Sequence, residues 1–212
     1  MHTVDLVHST PDGDNLISYM ARVSNPSNQN NTETSARLIK YLIKHKHWSP
    51  FEMVNMCVQI TTTRSIAAQI LRHRSFSFQE FSQRYAQVTD QPVIPNIRRQ
   101  DLKNRQNSVD DIDDFTVQKY QMKAQNLFEL SRRLYDEMLA DGVAKECARD
   151  VLPLASTTKL YMNGSLRSWL HYCDLRTANG TQYEHKIIAD QCKKLIKLQF
   201  PVTYEAMYGQ CT

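Results

Sequence analysis

The sequence predicts an α+β fold, an antiparallel β-sheet accompanied by long helices, on three observations. Val54, Met56, Val58 and Ile60 alternate with Asn55, Cys57, Gln59 and Thr61, the period of a strand with one apolar face. From Phe115 to Ala140 the residues Val117, Tyr120, Ala124, Leu127, Leu130, Leu134 and Met138 recur every three or four positions, the period of an amphipathic helix. The chain has only 5 glycines and neither a glycine-rich phosphate loop nor a dinucleotide fingerprint, so any dinucleotide is held without a Rossmann turn. A length of 212 residues suits one large or two small domains and allows a sizeable core. We read a single domain over residues 1–212 without internal repeats.

Val4, Leu6 and Val7 predict a short first strand, closed by the turn-forming Ser9-Thr10-Pro11-Asp12-Gly13. A helix follows from about Leu16 to Val23, then a polar loop from Asn25 to Asn31 containing Pro26. Thr32 is placed as the cap of a helix carrying Ala36, Leu38, Ile39, Leu42 and Ile43, which ends near Lys44-His45-Lys46-His47. His45 and His47 stand two apart, which splays them on a helix, and no third ligand is nearby, so no metal site is expected. The alternating strand runs into Thr61-Thr62-Thr63, which caps a helix from about Arg64 to Arg72 with Gln69 on the face of Arg72. Residues 91–114, with Pro92, Pro95 and many charged or amide side chains, read as a mobile loop. Asp141-Gly142 ends the long helix, and a shorter one from Val143 to Arg149 meets Leu152-Pro153-Leu154. Thr157 to Met162 reads as a strand with a turn at Asn163-Gly164. The helix from Ser165 carries Leu166, Trp169, Leu170 and Cys173 on one side and Arg167, His171 and Asp174 on the other, with Arg176 at its end. Gln182-Tyr183-Glu184 opens a last long helix with Ile187, Ile188, Cys192, Leu195 and Ile196 as its stripe, stopped by Phe200-Pro201.

One stretch concentrates reactive groups: Arg72-His73-Arg74-Ser75-Phe76-Ser77-Phe78-Gln79-Glu80-Phe81-Ser82-Gln83-Arg84-Tyr85. A bare charge cluster is ordinarily a solvated face. Phe76, Phe78 and Phe81 are interleaved here, so the segment is expected to lie over an apolar surface, its charges held for one another or for an anionic ligand. A net charge of +4 does not demand nucleic acid but suits an anionic small molecule where arginines converge. The 5 cysteines, Cys57, Cys147, Cys173, Cys192 and Cys211, are odd in number and lack paired metal spacing, which reads as reduced thiols in an intracellular protein. The first residues lack the apolar core of a signal peptide and no apolar run is long enough to span a bilayer, so a soluble cytoplasmic protein is expected.

Arg72-His73-Arg74, seven residues and then Ser82, with Glu80 and the ending Ser82-Gln83-Arg84-Tyr85, resembles the signature of the flavin-dependent thymidylate synthases. His47-Trp48-Ser49-Pro50-Phe51-Glu52, Ser165-Leu166-Arg167-Ser168 with His171 and Leu175-Arg176, and Gln182-Tyr183-Glu184 are similar to further blocks of that family. Arg149 before Val151-Leu152-Pro153-Leu154 and the stretch Val202-Thr203-Tyr204-Glu205-Ala206 also match, so the resemblance covers nearly the whole chain. The departures are Gln79 and Ser165, each where the family usually has Asn. The resemblance implies that family's α+β fold and reductive methylation of dUMP to dTMP. FAD would be reduced by NADPH, with methylenetetrahydrofolate as carbon donor and tetrahydrofolate released. It implies FAD contacts from His47, Ser49, Arg72, His73, Arg74, Gln79, Glu80, Ser165, Arg167 and His171. It implies dUMP contacts from Gln69, Arg72, Glu80, Ser82, Gln83, Arg84, Arg149 and Arg176, with Arg176 catalytic. The implied assembly is a homotetramer with active sites shared between subunits, Arg149 reaching a neighbour's nucleotide, and no nucleic-acid or membrane partner.

The implied chemistry has a physical requirement. Uracil C5 is a poor nucleophile until the ring gains electron density, and no cysteine here has an evident activating partner in sequence. A guanidinium at the N3/O4 edge favours the deprotonated ring instead. Ser82 lacks an identifiable general base and reads as a phosphate ligand. Two other readings stand beside this one: a nucleic-acid-binding module using the arginines and phenylalanines, and a flavin-binding protein whose synthase activity is lost.

Overall fold

The computed structural model describes residues 2–209. Cys211 lies outside them. A four-stranded antiparallel sheet forms from β1 (Thr3–Ser9), β2 (Asn55–Thr63), β6 (Thr157–Ser165) and β3 (Ser77–Glu80), in the order β1-β2-β6-β3. The apolar alternation of β2 supplies one face. Val58 pairs with Met162 of β6, which also pairs with Phe78 of β3, so the buried side chains line up across the sheet.

Helices cover that face. They are α1 (Gly13–Ala21), α2 (Ser35–Lys44), α3 (Arg64–Ile70), α6 (Leu166–Thr177), α7 (Tyr183–Gln199) and α8 (Pro201–Tyr208). Ile17, Ile39, Ile66, Ile70, Trp169, Ile188, Cys192 and Ile196 meet the sheet in one cluster. Trp169 donates its indole N–H to the Met56 carbonyl at 2.8 Å, which pins α6 to β2. The remaining elements lie outside that cluster: a two-stranded ribbon of β4 (Arg99–Gln100) and β5 (Ser108–Val109), the long α4 (Asp114–Ala140) and the short α5 (Lys145–Ala148).

The structure departs from the sequence reading at five places. Asn163-Gly164 is not a turn: β6 runs on to Ser165, opposite Asn55. Its glycine serves close packing, because a Cβ there would lie 2.5 Å from the Phe76 ring. Part of the Arg72–Tyr85 block is strand β3, hidden by its polar residues. Phe76 and Phe78 pack inward while Ser77 and Gln79 face out. Helix α2 starts after Thr34 rather than Thr32, and the span 91–114 contains the β4–β5 ribbon. Pro201 starts α8 as well as ending α7, since proline is tolerated in a first helical turn.

Candidate active site

The end of β6 builds the first part of the site. Ser165 caps α6, its hydroxyl accepting from the Ser168 N–H at 3.4 Å. The same hydroxyl donates to Glu52 Oε2 at 2.6 Å, and Arg167 Nη1 donates to Glu52 Oε1 at 2.5 Å. Glu52 ends a single 3-10 turn, Ser49–Glu52, so the His47–Glu52 segment is tied to the start of α6 by one carboxylate. The hydrogen bond from Ser165, then that from Arg167, hold the Glu52 carboxyl below the usual range. These residues open onto a cleft of about 700 Å³ whose walls include Trp48, Ser75, Ser77, Asn163 and His171. Asn163 Oδ1 is buried beside it without a hydrogen-bond partner among the described residues.

The other end of α6 builds the second part. Arg176 donates Nε–H to His73 Nε2 at 2.9 Å, and among the described residues its terminal N–H groups are uncommitted. His73 sits edge-on to Tyr172, with ring centroids 5.0 Å apart. Burial, then the nearby Arg176, His171 and Arg72, push His73 down to about 4. At neutral pH it is an uncharged acceptor that can hold a guanidinium. Behind it His185, fully buried, reaches Tyr172 Oη at 3.1 Å and Gln69 Oε1 at 3.3 Å, and Gln69 donates to Gln182 at 2.6 Å.

The other sequence-predicted residues are placed as follows. Glu80 accepts from Arg64 and from Thr158, both at 2.8 Å. Arg84 pairs with Glu146 at 2.8 Å on α5, three residues before Arg149, which itself stands 3.8 Å from Asp150. His47, Ser49, Arg72, Arg74, Gln79 and Ser82 are exposed and Gln83 is half-buried. Ser165, Arg167 and His171 are thus brought to one cleft, and the half-buried His73, Arg176 and Gln69 to one cluster around buried His185 and Tyr172. Sequence reasoning gave no site role to Glu52, Asn163 or His185. Glu52 was within reach, as the last residue of a matched segment. Asn163 was obscured by the expected turn, and His185 is an apolar-face position whose partners come from two other helices.

Burial raises the thiols of Cys57, Cys173 and Cys192 above their ordinary range, and Cys147 is exposed on α5. Among the described residues no three His, Cys, Asp or Glu side chains gather as a metal site. Nor is any helix there long and apolar enough to cross a membrane.

Residues 5–202 match the family described as thymidylate synthase complementing protein. The chain is 48% identical over 205 residues to a probable flavin-dependent thymidylate synthase of Paramecium bursaria Chlorella virus 1, covering 97% of this chain and 95% of that protein. It is 50% identical over 198 residues to the flavin-dependent thymidylate synthase of a Synechocystis species, covering 93% and 90%. Its structure is similar to the UMP/dUMP methylase PolB of Streptomyces cacaoi crystallised with 5-Br dUMP, with a TM-score of 0.87 at 28% identity over 97% of this chain and 94% of that one.

Proposed function

The chain belongs to the flavin-dependent thymidylate synthase family, and on that premise we propose that it methylates dUMP to dTMP with FAD as cofactor, methylenetetrahydrofolate as carbon donor and NADPH as reductant. The observation that carries this reading is the Arg176–His73 pair in a protein whose core thiols are suppressed by burial. Thiolate addition to uracil C6 needs an accessible, activated cysteine: Cys57, Cys173 and Cys192 are buried with raised thiols, and exposed Cys147 has no hydrogen-bonded base among the described residues. A guanidinium with uncommitted N–H donors favours loss of the N3 proton and stabilises the charge at N3 and O4, which raises electron density at C5. Neutral His73 fixes the direction of Arg176 without competing for the substrate's charge.

The cleft beside α6 fits a flavin nucleotide in size, within the usual range for ligand sites, and in donors. Arg167 offers a cation to phosphate and His171 a flat ring. When bound, FAD supplies the reducing equivalents and relays the one-carbon unit. His47, Ser49, Arg72, Arg74, Gln79 and Glu80 complete its contacts in this reading. Arg84, paired with Glu146 in the single chain, takes the nucleotide phosphate with Ser82 and Gln83, and Arg149 reaches the nucleotide of a neighbouring subunit. Gln69, Arg72 and Glu80 orient sugar and base.

The sites are shared in a homotetramer. What supports this is α4, whose Phe115, Leu127 and Leu130 are 77%, 62% and 59% exposed in the single chain. Incubating purified FAD-loaded protein with dUMP, methylenetetrahydrofolate and NADPH tests the reading. The expected result is dTMP and tetrahydrofolate in equal amounts, and no dTMP with all components present would overturn it.

A further inference from the structure

A chain of hydrogen bonds runs behind the proposed base site. Its direction is dictated from one end. Glu184 is paired with Arg98 at 2.7 Å. Burial pushes its carboxyl up, but the hydrogen bond from Arg98 and the others it accepts outweigh that and leave it below the usual range. An ionised carboxylate only accepts, so Gln182 must present its amide N–H to Glu184 Oε2, at 3.0 Å. That turns the Gln182 carbonyl oxygen to Gln69, which must donate to it, at 2.6 Å. The Gln69 carbonyl oxygen then faces His185 Nδ1 at 3.3 Å, so this nitrogen carries the proton. The bare Nε2 of His185 accepts from the Tyr172 hydroxyl at 3.1 Å. Every donor points towards Glu184. Gln69 is left with its carbonyl engaged and one amide N–H unspent.

We propose that Glu184, Gln182 and His185 are positioning residues that fix the amide of Gln69 as a hydrogen-bond donor towards the nucleotide, and so make the site prefer uracil to cytosine. The inference rests on the dUMP reading given above. It adds the source of base selectivity. His185 lies 6.2 Å, ring to ring, from His73, which accepts from Arg176, so the Gln69 donor and the guanidinium belong to one cluster. Both are donors. The uracil edge offers O2, O4 and, once deprotonated, N3, all of them acceptors. Cytosine replaces O4 with an amino group, which would set donor against donor and leave both unpaired. A site built this way rejects the wrong base by leaving its own polar groups unsatisfied.

The test is competitive binding of dUMP and dCMP to FAD-loaded protein, with KM and kcat for dUMP measured alongside. Wild type is expected to prefer dUMP by roughly ten- to a hundredfold, the scale of one donor left unpaired once the nucleotide covers it. Glu184→Gln replaces the acceptor-only end with an amide that can also donate, so the chain can reverse. The dUMP/dCMP ratio should then fall by at least about fivefold, through KM rather than kcat. Wild type that does not bind dUMP defeats the functional reading, and the inference with it. Wild type that binds dUMP, with Glu184→Gln discriminating as well as wild type, overturns the inference alone. Should Glu184→Gln not fold, nitrogen NMR of wild-type His185 decides: a proton on Nδ1 supports the chain, and a proton on Nε2 overturns it.

Discussion

Helices α4 and α7 carry the same kind of apolar repeat and meet opposite fates. In α7, Ile188, Ala189, Cys192 and Ile196 are all fully buried in the main core. In α4, 27 residues long, only Tyr135 is buried, in a small cluster with Val88 and Ala148, while Leu127 and Leu130 remain exposed. Periodicity reports that a helix has an apolar face; it does not report what covers it. The sheet and α7 complete a core without α4, so the α4 stripe stays uncovered in the single chain. The polar ends differ in the same sense. His73, His185 and Arg176 are held by partners within the chain, whereas Arg84 and Arg149 stand near the surface, paired among the described residues with acids of α5 and the turn after it.

Substitutions on the two helices should separate these roles. Ile188→Ala on α7 removes a fully buried side chain and is expected to cost about 2–5 kcal/mol of folding stability, read by chemical denaturation. Arg176→Ala should leave the fold and bound FAD in place while turnover falls by roughly a hundredfold or more, the usual loss for one charge-stabilising donor. Turnover within threefold of wild type would remove Arg176 from the chemistry. On α4, Leu127→Glu with Leu130→Glu should barely change the melting of the isolated chain but should shift sedimentation to smaller species and lower FAD content. Unchanged mass and flavin content would show that this face is not the interface.

A further effect is a dependence on pH. Burial, then the nearby Arg176 and His73, push His185 down to about 3, and His73 is down to about 4. Unfolded histidines titrate near 6.5. Between that pH and about 4 the unfolded chain binds protons that the fold refuses, so stability should be flat above about 6.5 and decline as pH falls below it. Each such group contributes at most about 1.4 kcal/mol per pH unit. His185→Phe should flatten part of this slope, and an unchanged slope would show that His185 is not held neutral.

Much of this was readable in advance, for identifiable reasons. β2 and α4 were clear because strict periods of two and of three to four survive in their side chains. The matched segments at 47–52 and 165–171 do meet, but through Glu52, whose partners Ser165 and Arg167 are more than 100 residues away. Strand β3 was missed because its apolar residues are two phenylalanines among polar neighbours. The continuation of β6 was missed because Asn-Gly is a turn signal, overridden here by the Phe76 ring above Gly164. The histidine chain was unreadable, since it joins α3, α6 and α7 and depends on which amide end faces which neighbour.

The central claim is that Arg176, and not a thiolate, activates the uracil. The direct measurement is to saturate the FAD-loaded protein with dUMP, methylenetetrahydrofolate and NADPH, quench it during turnover, quantify dTMP and weigh the denatured chain. The predicted result is dTMP formed by wild type, little by Arg176→Ala, and a chain at its unmodified mass. A nucleotide covalently attached to a cysteine, or dTMP formation undiminished in Arg176→Ala, would contradict it.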